Sequence, residues 1–126
     1  MPERGAWAAA AVLWAALLFW MSSQTALNGG LGWLDVPGLD KLAHGVAFGI
    51  LAALCAQALQ PLGEVRSLVL AVALASVYGV TDEIHQLYVE GRTPDVLDWV
   101  ADTFGAMVFV AGVWFLRRRL SLGSLQ

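Results

Sequence analysis

Charge is scarce in this chain: 13% of its 126 residues are Asp, Glu, Lys or Arg, against a hydrophobic share of 59% and a mean hydropathy of +0.68. That composition excludes an ordinary soluble domain, in which about a quarter of residues are charged. There is one cysteine, Cys55, so an intramolecular disulfide is impossible and the redox compartment goes unread. It sits mid-segment and reads as a small apolar filler. No glycine-rich phosphate loop occurs, and no basic patch with interleaved aromatics, so nucleic acid is not a partner this sequence supports. Internal repeats and low-complexity tracts are missing as well.

What the chain has instead is long apolar runs. A hydrocarbon core about 30 Å thick needs about 20 apolar residues per spanning helix. Four such segments fall at roughly 5–22, 41–59, 67–86 and 95–116. The expected fold is all-α: a polytopic membrane protein, with residues 1–126 forming a single four-transmembrane-helix bundle. Turn chemistry separates the segments, namely a loop bearing Asn28, Gly29, Gly30, Gly32, Pro37 and Gly38, then Pro61-Leu62-Gly63, then Val89 to Thr93. Ser121 to Gln126 reads as a loose tail.

The first segment follows Met1-Pro2-Glu3-Arg4 and could pass for a secretory signal. It is expected to be retained, because its run is long for a signal and no A-x-A cleavage pattern follows Met21. Trp7 and Trp20 also sit at interfacial positions, as do Tyr88, Trp99 and Trp114. Arg4, Arg66, Arg117, Arg118 and Arg119 fall on one side of the spans, and Lys41 and Arg92 on the other. The positive-inside rule then puts both termini in the cytoplasm, in the cytoplasmic membrane of a bacterium-like cell. Arg117, Arg118 and Arg119 read as a stop signal or a contact with anionic lipid. Asp35, Asp40, Asp82, Glu83, Glu90, Asp95, Asp98 and Asp102 all lie toward the outer face, leaving Glu3 and Glu64 inside. Such a bias is compatible with insertion alone.

Helical spacing argues for more. Asp40, Lys41 and His44 share the outer end of segment two. Asp82 with His85, and Glu83 with Gln86, stand three apart at the outer end of segment three, while Asp95, Asp98 and Asp102 form one stripe down segment four. Some of these have bland roles. Thr93-Pro94-Asp95 resembles an N-cap, a proline at the first helical position and an acid favoured by the helix dipole. Asp40 is open between capping segment two and joining a site. Asp35 and Glu90 are expected to be solvated.

Asp82 and Glu83 lie near a helix C-terminus, where the dipole disfavours anions by up to about 1 kcal/mol each. They need a partner, and Arg92, with its planar fork just past the helix end, is the foremost internal candidate. One arginine cannot neutralise Glu83, Asp98 and Asp102 together. The candidate polar site is therefore Asp40, Lys41, His44, Glu83, Gln86, Arg92, Asp98 and Asp102. His44, Glu83, His85, Asp98 and Asp102 are candidate ligands for a divalent metal such as Mg, Mn or Zn, although no H-E-x-x-H or comparable motif is present. Gly45 and Gly49 form a G-x-x-x-G that continues to Ala53, and Ala101 and Gly105 are its counterpart on segment four. Close packing within one chain is the expected use, with Phe48 as core, and the oligomeric state stays open.

Three stretches, LDKLAHGVAFG at 39–49, DEIHQLYVEGR at 82–92 and DVLDWVADTFGA at 95–106, resemble the VanZ-like integral membrane family. The matching positions are Asp40, Lys41, His44 and Phe48, then Glu83 and Gln86, then Gly91, Arg92, Asp98 and Gly105. Asp102 departs from the pattern, since the family commonly has Asn there. The resemblance implies a cell-envelope context and an association with teicoplanin tolerance. Three functions remain open. One is an envelope accessory protein whose outward acidic site holds a lipid-linked envelope precursor, a lipid headgroup or a glycopeptide. Another is a membrane-embedded hydrolase or transferase acting on a lipid-linked substrate. The third is a proton or cation pathway, which the shortage of carboxylates in the inner halves of segments two to four disfavours.

Overall fold

The computed structural model describes residues 3–24 and 38–123. The Asn/Gly/Pro-bearing loop, Asp35, and the ends of the chain lie outside the described residues. Four α-helices follow in order, each long and apolar enough to cross a membrane: α1 (Arg4–Ser22), α2 (Leu39–Ala58), α3 (Glu64–Gln86) and α4 (Val96–Gly123). Among the described residues there is no strand. Large apolar side chains face outward along all four helices, Leu13, Val65, Phe104 and Leu120 among them. On a soluble monomer so much exposed hydrocarbon would be a liability, whereas lipid solvates it.

Chain breaks sit where the backbone demands glycine or proline. Gly38 (φ 90°) precedes α2, so Asp40 lies in the first turn beside the dipole and does not cap the helix. Gln60-Pro61-Leu62 makes one 3-10 turn after α2, and Gly63 (φ 99°) redirects the chain so that α3 starts at Glu64, ahead of the expected Ser67. Glu64 lies in that first turn, where an anion is favoured, and its carbonyl accepts the Ser67 hydroxyl. At the other end α4 continues to Gly123, so Ser121 is helical and not part of a loose tail. Its added turns carry the Arg118 guanidinium over the Trp114 ring (4.6 Å) and Arg119 over Phe115 (4.9 Å).

The closest helix pair is α2 and α4. Gly105 rests on the backbone of Gly45, so that a Cβ at Gly105 would collide with it, and the Phe109 ring occupies the space a Cβ at Gly49 would need. The predicted glycine faces thus pack within the chain. Below them the core is built of small side chains, Ala52, Ala56, Ala71, Ala75 and Ala106, with Phe48, Leu51 and Val110. Polar ties join α1 to the rest: Trp14 Nε1 donates to the Ala47 carbonyl (2.8 Å) and the Tyr78 hydroxyl to that of Ala15.

Candidate functional site

The first two turns of α2, the last turns of α3 and the first turns of α4 meet at one end of the bundle. Their meeting depends on Gly45 and Gly105 and on Gly79, where a Cβ would lie 3.0 Å from Asp102 Oδ2 and 3.2 Å from the Trp99 ring. Small residues let the backbones approach, and short acidic side chains can then reach across.

Lys41 is the hub. Its Nζ pairs with Asp98, with Asp95 at 2.7 Å and with Asp40 at 3.2 Å. Asp95 serves twice, since its Oδ1 also accepts the Leu97 N–H at 2.9 Å and caps α4. The cap is therefore Asp95 itself, with Thr93 and Pro94 outside the helix. The Lys41 ammonium and, after it, the Leu97 N–H hold the Asp95 carboxyl below the usual carboxylate range.

One turn deeper, His44 Nδ1 lies 2.9 Å from Asp102 Oδ1, and His44 Nε2 lies 3.8 Å from Asp98 Oδ2. The imidazole is parallel to the Phe48 ring, with centroids 6.3 Å apart. Asp102 is fully buried, and its second oxygen has no partner. A neutral imidazole bonded to Asp102 through Nδ1–H leaves a lone pair on Nε2, the arrangement of a base oriented by a carboxylate. An imidazolium instead offers a donor to each aspartate. Trp99, Ser76 and Thr103 close the floor: Trp99 Nε1 donates to the Ser76 carbonyl (3.1 Å), and the two hydroxyls are 2.8 Å apart.

On α3 the acids divide. Asp82 is buried and its Oδ2 accepts Gln86 Nε2 at 3.3 Å. Glu83 Oε2 accepts the Asp95 N–H at 2.8 Å, while its Oε1 is buried with no donor.

Arg92 corrects the expectation that it neutralises a carboxylate. Its Nε and Nη2 donate to the Gln24 carbonyl, Nη2 at 2.8 Å, and Nη2 also reaches that of Met21. Both acceptors lie at the C-terminal end of α1, where helix carbonyls lack intrahelical donors and attract a cation. His85 likewise turns to α1, stacked on Phe19 with centroids 4.2 Å apart and with Nε2 3.3 Å from Ser23 Oγ. Among the described residues no group of three or more His, Cys, Asp or Glu is arranged to hold a metal ion, so His44, Glu83, His85, Asp98 and Asp102 do not form the ligand set considered from the sequence.

Lys41, His44, Asp98 and Asp102 thus converge with Asp40. Glu83 joins through the Asp95 backbone, Gln86 partners Asp82, and Arg92 stands apart. The sequence reading sets Asp95 aside as an acid favoured by the helix dipole and leaves Asp82 out of the candidate site, although the four-residue spacing of Asp82 and Gln86 is a visible signal.

The model of the VanZ/LLP1 family matches residues 7–117. The chain belongs to the VanZ/LLP1 family. It is a multi-pass membrane protein by that membership and by its four apolar helices. No protein of curated function and no solved structure matches it. The VanZ/LLP1 match takes in α1 from Trp7 as well as the acidic end of α2, α3 and α4.

Proposed function

We propose that this VanZ/LLP1 protein is an accessory component of the cell envelope whose acidic end faces outward and holds a cationic or hydrogen-bond-donating group of an envelope ligand. One observation carries the reading: at an end of the bundle where Asp82, Asp98 and Asp102 are buried, carboxylates outnumber cations. Lys41 serves Asp40, Asp95 and Asp98 together, Arg92 is engaged elsewhere, and the fully buried Asp102 keeps an unpaired oxygen. Buried carboxylates without partners cost several kcal/mol, so a site of this kind is completed by a ligand that brings donors. The outward orientation rests on the basic side chains gathered at the opposite end. Teicoplanin tolerance is the associated phenotype, through a lipid-linked precursor or the glycopeptide itself.

The test is expression in a teicoplanin-sensitive bacterium. Wild-type protein raises the inhibitory concentration, and Asp98→Asn, present at the same membrane level, loses most of that gain. Full tolerance with Asp98→Asn would overturn the reading.

The His44–Asp102 pair favours a second reading, in which the chain is a hydrolase or transferase and His44 is a general base oriented by Asp102. That reading expects His44→Gln to abolish release of a soluble product from lipid-linked envelope substrates in reconstituted vesicles.

A further inference from the structure

We propose that the exposed face of α4 near its C-terminal end seats one anionic phospholipid, with the headgroup phosphate held by Arg118 and Arg119 and an acyl chain running down the helix between Trp114 and Phe115. Arg118 is twenty residues beyond Asp98, about 30 Å along a helix that rises about 1.5 Å per residue. That distance is one hydrocarbon thickness, so the two arginines lie at the depth of the headgroups opposite the acidic end. Neither is paired: among the described residues Arg118 and Arg119 make no salt bridge and no side-chain hydrogen bond, and both are exposed. Arg117, by contrast, donates to the Ala56 carbonyl and to Gln57, and Glu64 at the start of α3 lies close enough to act on the Arg117 charge.

Both guanidinium groups lie back along the helix over exposed rings, Arg118 over Trp114 and Arg119 over Phe115. A ring covers one face of each planar group and leaves its N–H edge open, the edge that binds phosphate oxygens in a bidentate fork. Ala111 is three residues before Trp114 and four before Phe115, so it lies between the two rings on the helix surface. It is exposed, and next to it Gly112 has open space where a Cβ would stand. Exposed Val108 and Phe104 continue the line toward the bilayer centre. An apolar path that ends at two unpaired cations, on a helix that faces lipid, suits an anionic amphiphile better than a soluble anion, which gains nothing from the path. A zwitterionic headgroup brings its own cation to its phosphate and competes less well. The acidic end has no part in this site, so the proposal stands whether or not the antibiotic reading holds.

The experiment uses purified full-length protein extracted from vesicles of equal phosphatidylglycerol, phosphatidylethanolamine and phosphatidylcholine, with retained lipid counted by native mass spectrometry. Wild-type protein should retain the glycerol lipid over the choline lipid about tenfold, a factor that two arginines at an anionic surface supply. Arg118→Gln combined with Arg119→Gln should bring that ratio to about one. Arg4→Gln combined with Arg66→Gln removes two exposed charges from the same end of the bundle and should leave the preference intact, which separates a seat on α4 from the general charge of that end. Gly112→Phe fills the path from an open position with both arginines in place and should lower retention of the glycerol lipid. A wild-type ratio near one, or an unchanged ratio without Arg118 and Arg119, would overturn the proposal. So would an equal fall without Arg4 and Arg66, or undiminished retention by Gly112→Phe.

Discussion

At the end of the bundle where α4 finishes, a single cation meets neutral acceptors: Arg117 donates to the Ala56 carbonyl (2.8 Å), to Gln57 Oε1 (2.7 Å) and to Ser67 Oγ (3.4 Å). At the end where α4 starts, Lys41 is shared by Asp40, Asp95 and Asp98, and Asp102 lies buried behind His44. Between them runs a core made largely of alanine. An arginine on the final carbonyls of α2 is a structural clasp complementary to the helix dipole, with its Nε alone buried without an acceptor. A cluster whose carboxylates exceed its cations is short of positive charge by the same physics, and on that contrast rests the proposal that a ligand binds at the acidic end.

The contrast can be broken most forcefully at Lys41. Lys41→Met leaves Asp98 without its cation and should cost about 2 kcal/mol, between an exposed and a buried pair because Lys41 is 30% and Asp98 13% exposed. Unfolding in mixed micelles by titrated denaturing detergent measures it. Arg117→Met should cost about 1–2 kcal/mol in the same titration, since it strips donors from neutral acceptors and leaves no charge behind. Asp102→Asn sharpens the comparison from the other side: an amide oxygen still accepts from His44 and a desolvated charge is gone, so stability should move by less than about 1 kcal/mol. Arg118→Gln loses one cation–π contact with Trp114 in its own helix and should change stability by no more than about 0.5–1 kcal/mol.

How far the sequence reveals each end differs for a physical reason. Four helices are legible because a spanning helix must present about 20 apolar residues, and the convergence of Lys41, His44, Asp98 and Asp102 follows from helical spacing once three helix ends are brought together. The destination of Arg92 is not legible: the carbonyls of Met21 and Gln24 that capture it belong to a helix far away in sequence, and every residue has a carbonyl. Arg117 is hidden for the same reason, since its acceptors include the backbone of Ala56, and an arginine near a span end reads equally as a stop signal. Asp95 misleads because one carboxylate has two oxygens, one capping α4 and the other on Lys41.

The measurement that bears most directly on the contrast between the ends is teicoplanin tolerance and unfolding stability determined together for Asp98→Asn and Arg117→Met, each corrected for the amount of folded protein in the membrane. Arg117→Met should lose stability yet keep wild-type tolerance per folded molecule, while Asp98→Asn should lose tolerance in excess of any loss of fold. Tolerance that tracks stability alike in both variants would contradict a functional site at the acidic end.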